Sequence, residues 1–80
     1  MTPAQCRAAR GLLEITQSQL ADAADLGLST VVDFEKKRRQ VSLGAVEAMQ
    51  SALERAGIEF IDENGGEGLR LRKPRRPKRK

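Results

Sequence analysis

The sequence predicts a mainly α-helical fold, in which four helices over residues 1–57 are followed by a C-terminal β-hairpin over residues 58–72. Apolar residues up to Leu53 recur at helical spacing, whereas from Ile58 onward they alternate with polar residues, as in half-buried strands. Only two aromatic residues are present, so the core must be built from Leu, Val, Ile and Ala, which suits helix packing. Eighty residues allow one small domain with a modest core.

The first helix begins with a capping box, in which Thr2 is the N-cap, Pro3 takes the first helical position and Gln5 the third. We expect this helix to run to about Leu13. Its buried face is predicted to comprise Cys6, Ala9 and Leu13.

A second capping box, Thr16 with Gln19, opens a helix that should end near Ala24. Residues 25–27 form a turn, and a third helix is predicted over residues 28–36. Two short amphipathic helices joined by a tight turn predict a helix-turn-helix motif, whose second helix can enter the major groove of DNA. The side chains expected to pack between the helices are Leu20, Ala21, Ala24, Leu26, Val31 and Phe34.

A fourth helix can begin after Ser42 and end at Gly57. Two alternating segments, 58–62 and 69–72, then flank a glycine-rich stretch at 64–68 and predict a β-hairpin. Ile58 and Phe60 should share one face of the hairpin, and Leu69 and Leu71 another. The apolar residues that recur at helical spacing in this fourth helix are Leu43, Val46, Met49 and Leu53.

The composition argues against several kinds of protein and site. A single cysteine cannot form an internal disulfide, and without histidine no zinc or other metal site is expected. No nucleophile–base arrangement and no phosphate-binding loop is recognisable, so we expect neither an enzyme nor a cofactor. The small size argues against a pocket for a small-molecule ligand. No segment approaches the roughly 20 apolar residues of a membrane span and no signal peptide is expected, which predicts a cytoplasmic protein.

The charge is distributed unevenly along the chain. Residues 70–80 carry eight positive charges, whereas seven basic and eleven acidic groups give residues 1–69 a net charge of −4. Pro74 and Pro77 within the basic run predict a disordered tail over residues 73–80. Such a tail usually indicates a polyanionic partner, most often nucleic acid, although a solvated end without a partner has the same composition.

Residues 5–56 resemble the Xre/Cro family of bacterial and phage helix-turn-helix repressors. The residues that carry the resemblance are Arg10, Thr16, Gln17, Leu20, Ala21, Ser29, Thr30, Val31, Phe34, Glu35 and the basic loop after them. The resemblance implies a repressor-like domain that binds double-stranded DNA and regulates transcription. The same fold with a poorly equipped reading helix also serves as a protein-interaction module of the antitoxin or antiactivator type, and this alternative stays open.

The resemblance also implies an ion pair between Arg10, late in the first helix, and Glu35, near the end of the third. A buried pair would orient the third helix, and removal of one partner would strand a charge. Two independent surface charges are the alternative.

DNA contacts are predicted at the start of the second helix and in the loop after the third. The resemblance assigns a phosphate contact to Gln17, whereas Gln19 is either a second contact or only the partner of Thr16 in the capping box. The loop is expected to lie along the DNA backbone, with a solvated charge run as the alternative. Its basic residues are Lys36, Lys37, Arg38 and Arg39.

On the third helix, the resemblance places base and backbone contacts at Leu28, Ser29 and Asp33, with Thr30 near a phosphate. Leu28 and Val32 can contact thymine methyl groups. Asp33 can accept a hydrogen bond from cytosine or can pair with a nearby basic residue. The helix contains no Arg, Gln or Asn, the side chains best suited to bidentate readout of guanine and adenine.

Two positions depart from the pattern of the family. Asp25 stands where a turn glycine with positive φ is usual, and aspartate tolerates that conformation better than most residues. Gly27 stands where a Ser or Thr cap is usual, and glycine is a weaker cap.

A single recognition helix reads only a few base pairs, so we expect a homodimer on a palindromic site. A two-stranded hairpin is marginally stable alone, and we expect it to meet its symmetry mate together with the C-terminal half of the fourth helix. A hairpin folded back on its own helices is the alternative. The predicted dimerisation residues are Met49, Leu53, Ile58, Phe60, Leu69 and Leu71.

Overall fold

A computed structural model describes residues 1–61 and 68–72, in which four helices precede a two-stranded antiparallel sheet. Helix α1 spans Pro3–Leu13, α2 Gln17–Ala24, α3 Leu28–Lys36 and α4 Leu43–Arg55. Strand β1 spans Ile58–Ile61 and β2 Gly68–Leu71. The predicted fold class is confirmed. The basic tail over residues 73–80 and the predicted strand end at Asp62 lie outside the described residues.

The predicted N-caps are present. Thr2 and Thr16 each accept a hydrogen bond from the backbone of the third helical residue, Gln5 or Gln19, whose amide oxygen accepts from the backbone of the cap in return. Ser42 Oγ accepts from the amide of Ala45 at 3.2 Å. These bonds satisfy backbone donors that a helix start leaves without intrahelical partners. Because the capping residues lie within a few positions of each other, the helix starts can be predicted from the sequence.

The first three helices end in the same way, with a residue in the left-handed conformation that is not glycine. Glu14, Asp25 and Lys37 have φ values of 59°, 60° and 58°. After each of them the next amide donates back across five residues to a helix carbonyl, at 2.9–3.1 Å. This geometry turns the chain sharply and satisfies carbonyls at the helix C-termini. The positive φ expected at Asp25 is confirmed.

The core lies between the four helices and the first residue of β1. Cys6 and Ala9 of α1 are buried as predicted, whereas Leu13 is only half-buried against the core. Leu43 belongs to α4 as predicted, but its side chain is 72% exposed, because it occupies the first position of the helix, one turn before the helix meets the core at Val46. The buried residues of the core are Cys6, Ala9, Leu20, Ala21, Ala24, Val31, Met49, Ala52, Leu53 and Ile58.

The hairpin is folded back on the helices of its own chain, with β1 against α4 and β2 against α1. Ile58 pairs with Leu71, and Phe60 with Leu69. Directly opposed residues of an antiparallel pair share a face, so these four side chains lie on one face. The prediction that Leu69 and Leu71 lie on a different face from Ile58 and Phe60 is therefore wrong. The predicted connecting stretch includes Gly68, but this residue is the first of β2.

Candidate nucleic-acid interface

Helices α2 and α3 form the motif predicted from the sequence. Leu20, Ala21 and Ala24 of α2 are buried, and Val31 of α3 is fully buried against the same core. The small side chains at the crossing allow the two helices to pack closely. Gly27 begins α3 without a side-chain cap, as expected from its lack of a side chain.

Glu35 anchors the inner edge of α3. Its side chain is 1% exposed, and Arg10 binds it through two hydrogen bonds, from Nε to Oε2 and from Nη2 to Oε1, both at 2.7 Å. Gln17 Nε2 donates to Oε1 at 3.0 Å, and Cys6 Sγ donates to Oε2 at 3.1 Å. The structure therefore contains the Arg10–Glu35 pair as a buried, bidentate contact and not as two separate surface charges.

Cys6 and Arg7 belong to this cluster, although no role at the site was predicted for them. Arg7 Nη1 donates to the backbone carbonyl of Glu35 at 2.5 Å, so a second guanidinium from α1 holds the same residue. The signal in the sequence is spacing: Cys6 and Arg7 lie four and three residues before Arg10, on one side of α1. That spacing indicates a shared face but does not identify what the face contacts.

The hydrogen bonds determine the charge state of the cluster. Burial of the Glu35 carboxyl raises its pKa, but the hydrogen bonds from Arg10, Cys6 and Gln17 outweigh burial and hold the pKa below its usual range. Glu35 is therefore a carboxylate at neutral pH. Burial, and then the hydrogen bond to Glu35, raise the pKa of the Cys6 thiol, which keeps this group protonated as a donor.

The outer edge of α3 carries the residues predicted to face DNA. Leu28 is 48% exposed and Ser29 is exposed, whereas Thr30, Val32 and Asp33 are half-buried. Leu28 with Val32, and Ser29 with Asp33, are four residues apart and so lie next to one another on the helix surface. The structure thus gives α3 one edge in the core and one edge in solvent.

Asp33 is engaged by the loop that follows its own helix. Arg39 Nε donates to Oδ2 at 2.8 Å, and Arg38 Nη1 lies 4.0 Å from Oδ1. Of the two alternatives for Asp33, pairing with a nearby basic residue is the one found in this structure. The chain reversal at Lys37 brings Arg38 and Arg39 back beside α3.

The two glutamines of α2 differ in their surroundings. Gln17 is half-buried and its amide binds Glu35, whereas Gln19 is exposed and its oxygen accepts from the Thr16 amide. Gln19 is thus the capping-box partner of Thr16, which leaves its amide nitrogen as a donor toward solvent. Four exposed cations follow beside the end of α3: Lys36, Lys37, Arg38 and Arg39.

The predicted dimerisation residues have very different exposures. Met49, Leu53 and Ile58 are fully buried in the core of the single chain, so these three side chains expose no surface that a second copy of the chain could contact. Phe60 and Leu69 are half-buried against that core, and Leu71 is 41% exposed. Any contact through the predicted surface would therefore involve the outer part of the hairpin.

The described part of the chain contains no cluster of three or more His, Cys, Asp or Glu side chains suited to a metal ion. Within residues 1–61 and 68–72, none of the helices has the length and hydropathy needed to cross a membrane.

Comparison with known proteins agrees with this geometry. The model of the Helix-turn-helix family matches residues 7–60, which covers all of α2, α3 and α4 and most of α1. No curated protein gave a match to the chain. The motif, the buried Arg10–Glu35 pair and the family match together identify the chain as a member of the Xre/Cro-type helix-turn-helix family of DNA-binding transcriptional regulators.

Proposed function

We propose that this protein is a sequence-specific transcriptional repressor that occupies a palindromic operator as a homodimer. The observation that carries the proposal is the division of α3 into two edges. One edge is fixed to the core by Val31 and Glu35, and the other is open to solvent beside four cations. A helix that is held in place by the core, exposes one edge and is flanked by positive charge meets the requirements for binding in the major groove of DNA.

In this proposal α3 enters the major groove, and Lys36 at the end of α3 together with the loop residues 37–39 contacts the phosphates on one side of it. The exposed start of α2, with Gln19, contacts the backbone on the other side. The tail over residues 73–80 adds six positive charges and is proposed to strengthen binding to any sequence. Repression would follow from occlusion of a promoter by the bound protein.

The test begins with selection of duplexes from a random-sequence library by the full chain. The affinity for a selected duplex and for a shuffled version of it is then measured by fluorescence anisotropy at physiological salt. A sequence-specific regulator should prefer the selected duplex by about 10³-fold or more. Salt-sensitive binding without preference would contradict the proposal and favour a protein-interaction module.

The basic segment over residues 36–39 is tested with two variants that each remove one exposed positive charge. Lys36→Gln should weaken binding to selected and shuffled duplexes alike and reduce the slope of log K against log salt by about 0.9. Arg55→Gln on α4 is the control, because Arg55 is exposed, donates a hydrogen bond to the Ala23 carbonyl at the C-terminal end of α2 and is not among the proposed contacts, and it should leave the slope unchanged. Equal effects of both variants would show that DNA affinity depends on the total charge of the protein and not on the position of Lys36.

The homodimer is proposed to form through the outer part of the hairpin, where Phe60, Leu69 and Leu71 remain accessible. Leu71→Asp should shift the protein toward the monomer in sedimentation equilibrium, with an unchanged helical circular dichroism spectrum. Leu43→Asp introduces the same charge at another exposed leucine and is the control. A Leu71→Asp protein that remains dimeric would place the interface elsewhere.

A further inference from the structure

The hydrogen-bonding side chains nearest the outer edge of α3 already have partners. Asp33 faces Arg38 and Arg39, and the Gln17 amide binds Glu35. The remaining polar groups along this edge include the hydroxyl of Ser29, which can donate or accept and therefore discriminates weakly between bases. Readout by hydrogen bonds would require breaking contacts that the free protein has formed.

The apolar side chains on the same edge have no such partners. Leu28 lies at the first position of α3 and is 48% exposed, and Val32 follows one helical turn later and is half-buried. The side chains of Leu28 and Val32 therefore form a continuous apolar strip along the exposed side of the helix. Because neither residue belongs to the buried core cluster, the strip is available to a ligand.

In the major groove, the apolar group on the edge of a base pair is the C5-methyl of thymine. We propose that α3 reads its operator through thymine methyl groups that pack against Leu28 and Val32. Asp33 is then a positioning residue, which holds Arg39 beside the helix and does not read a base. This inference rests on the proposed function, since it specifies how the same helix discriminates between sequences.

The pair with Arg39 also removes an electrostatic obstacle. A free carboxylate on the DNA-facing edge would repel phosphate, but Asp33 lies within 2.8 Å of one guanidinium and 4.0 Å of a second. The two arginines more than offset its charge, so the apolar strip can approach the groove from a surface of net positive charge.

The experiment uses the duplex selected by the full chain, in which each thymine is replaced in turn by deoxyuridine. This substitution removes the C5-methyl group and leaves every hydrogen-bonding group on the base pair in place. At contacted positions we expect affinity to fall about fourfold, the equivalent of ~0.8 kcal/mol for one buried methyl group. In the Leu28→Ala or Val32→Ala protein, the penalty at one of these positions should disappear.

Leu12→Ala on α1 is the matched control, because Leu12 is 44% exposed and lies outside α3. It should retain every deoxyuridine penalty. Asp33→Asn removes the ion pair with Arg39 but leaves the apolar strip in place, so it should also retain those penalties. Helical circular dichroism establishes that each variant is folded.

The inference is overturned if the chain prefers its selected duplex yet tolerates deoxyuridine at every position, or if Asp33→Asn abolishes discrimination at a cytosine. In both cases sequence-specific binding itself would stand. If no sequence is enriched from the library, the proposed function fails, and the methyl readout fails with it.

Discussion

Replacement of Arg10 by methionine should destabilise the fold severely. The change removes two charge-assisted hydrogen bonds of 2.7 Å and leaves the Glu35 carboxylate with only the neutral donors Cys6 and Gln17. Glu35 is 1% exposed and cannot regain water without local opening. Breaking a buried ion pair in this way costs about 3–5 kcal/mol. Because Arg10 is itself 19% exposed and partly screened by water, we expect a loss near 3 kcal/mol, the lower limit of that range.

Such a loss is large for a chain of this size, whose total stability is expected to be about 4–12 kcal/mol. Since 1 kcal/mol corresponds to about 4–8 °C in a domain of this length, the melting temperature of Arg10→Met should fall by at least about 12 °C. Thermal denaturation followed by circular dichroism at pH 7 measures the change. The double variant Arg10→Met/Glu35→Leu removes the stranded charge and should recover more than half of the loss.

The reasoning would be refuted if Arg10→Met melted within about 2 °C of the parent protein, because the carboxylate would then have found another partner or water. It would also be refuted if the double variant were no more stable than Arg10→Met. Glu35→Leu alone completes the double-mutant cycle. Its cost should be smaller than that of Arg10→Met, because the Arg10 side chain can reach solvent.

Three further outcomes follow from the same structure. Because the pKa of Glu35 is lowered in the folded protein, its ionisation stabilises the fold above the usual pKa of 4.5, and this stabilisation is lost as the pH falls through the lower folded value. Urea titrations should therefore show a free energy of unfolding that decreases in acid. The double variant Arg10→Met/Glu35→Leu should lack this contribution to the decrease. Asp25→Gly relieves a positive φ of 60° and should raise the unfolding free energy by about 0.5–1 kcal/mol, measured by the same titration, without altering DNA affinity. The Cys6 thiol should react with a thiol reagent only as the protein unfolds, because burial and the bond to Glu35 suppress its ionisation, and fast labelling of the native protein would contradict this.

The helix boundaries could be predicted because their determinants are local. The side chains of Thr2, Thr16 and Ser42 each accept a hydrogen bond from the backbone amide three residues later, so each cap is recognisable as a short sequence pattern. The left-handed turn at Asp25 was expected, whereas those at Glu14 and Lys37 were not. Neither residue is glycine, so the sequence carries no marker of a positive φ at these positions.

The contacts that depend on how distant segments meet were harder to predict. Resemblance to a family suggested the Arg10–Glu35 pair, but the participation of Arg7 depends on the angle at which α1 crosses α3. The faces of the hairpin were assigned from alternation within each strand, whereas the relation between the strands depends on their register. Burial of Ile58 against the helices follows from that register and from the position of α4.

The charge that α3 presents to DNA is the clearest case in which sequence and structure differ. The helix contains two carboxylates and one lysine, so its composition predicts an acidic element, a poor candidate for contact with a polyanion. In the structure each carboxylate is bound by arginine from outside the helix, Glu35 by Arg10 on the buried edge and Asp33 by Arg39 on the exposed edge. The two pairs have separate consequences, because one is desolvated and the other is in water. Loss of Arg10 should therefore affect stability, and loss of Arg39 should affect DNA binding with little change in melting temperature.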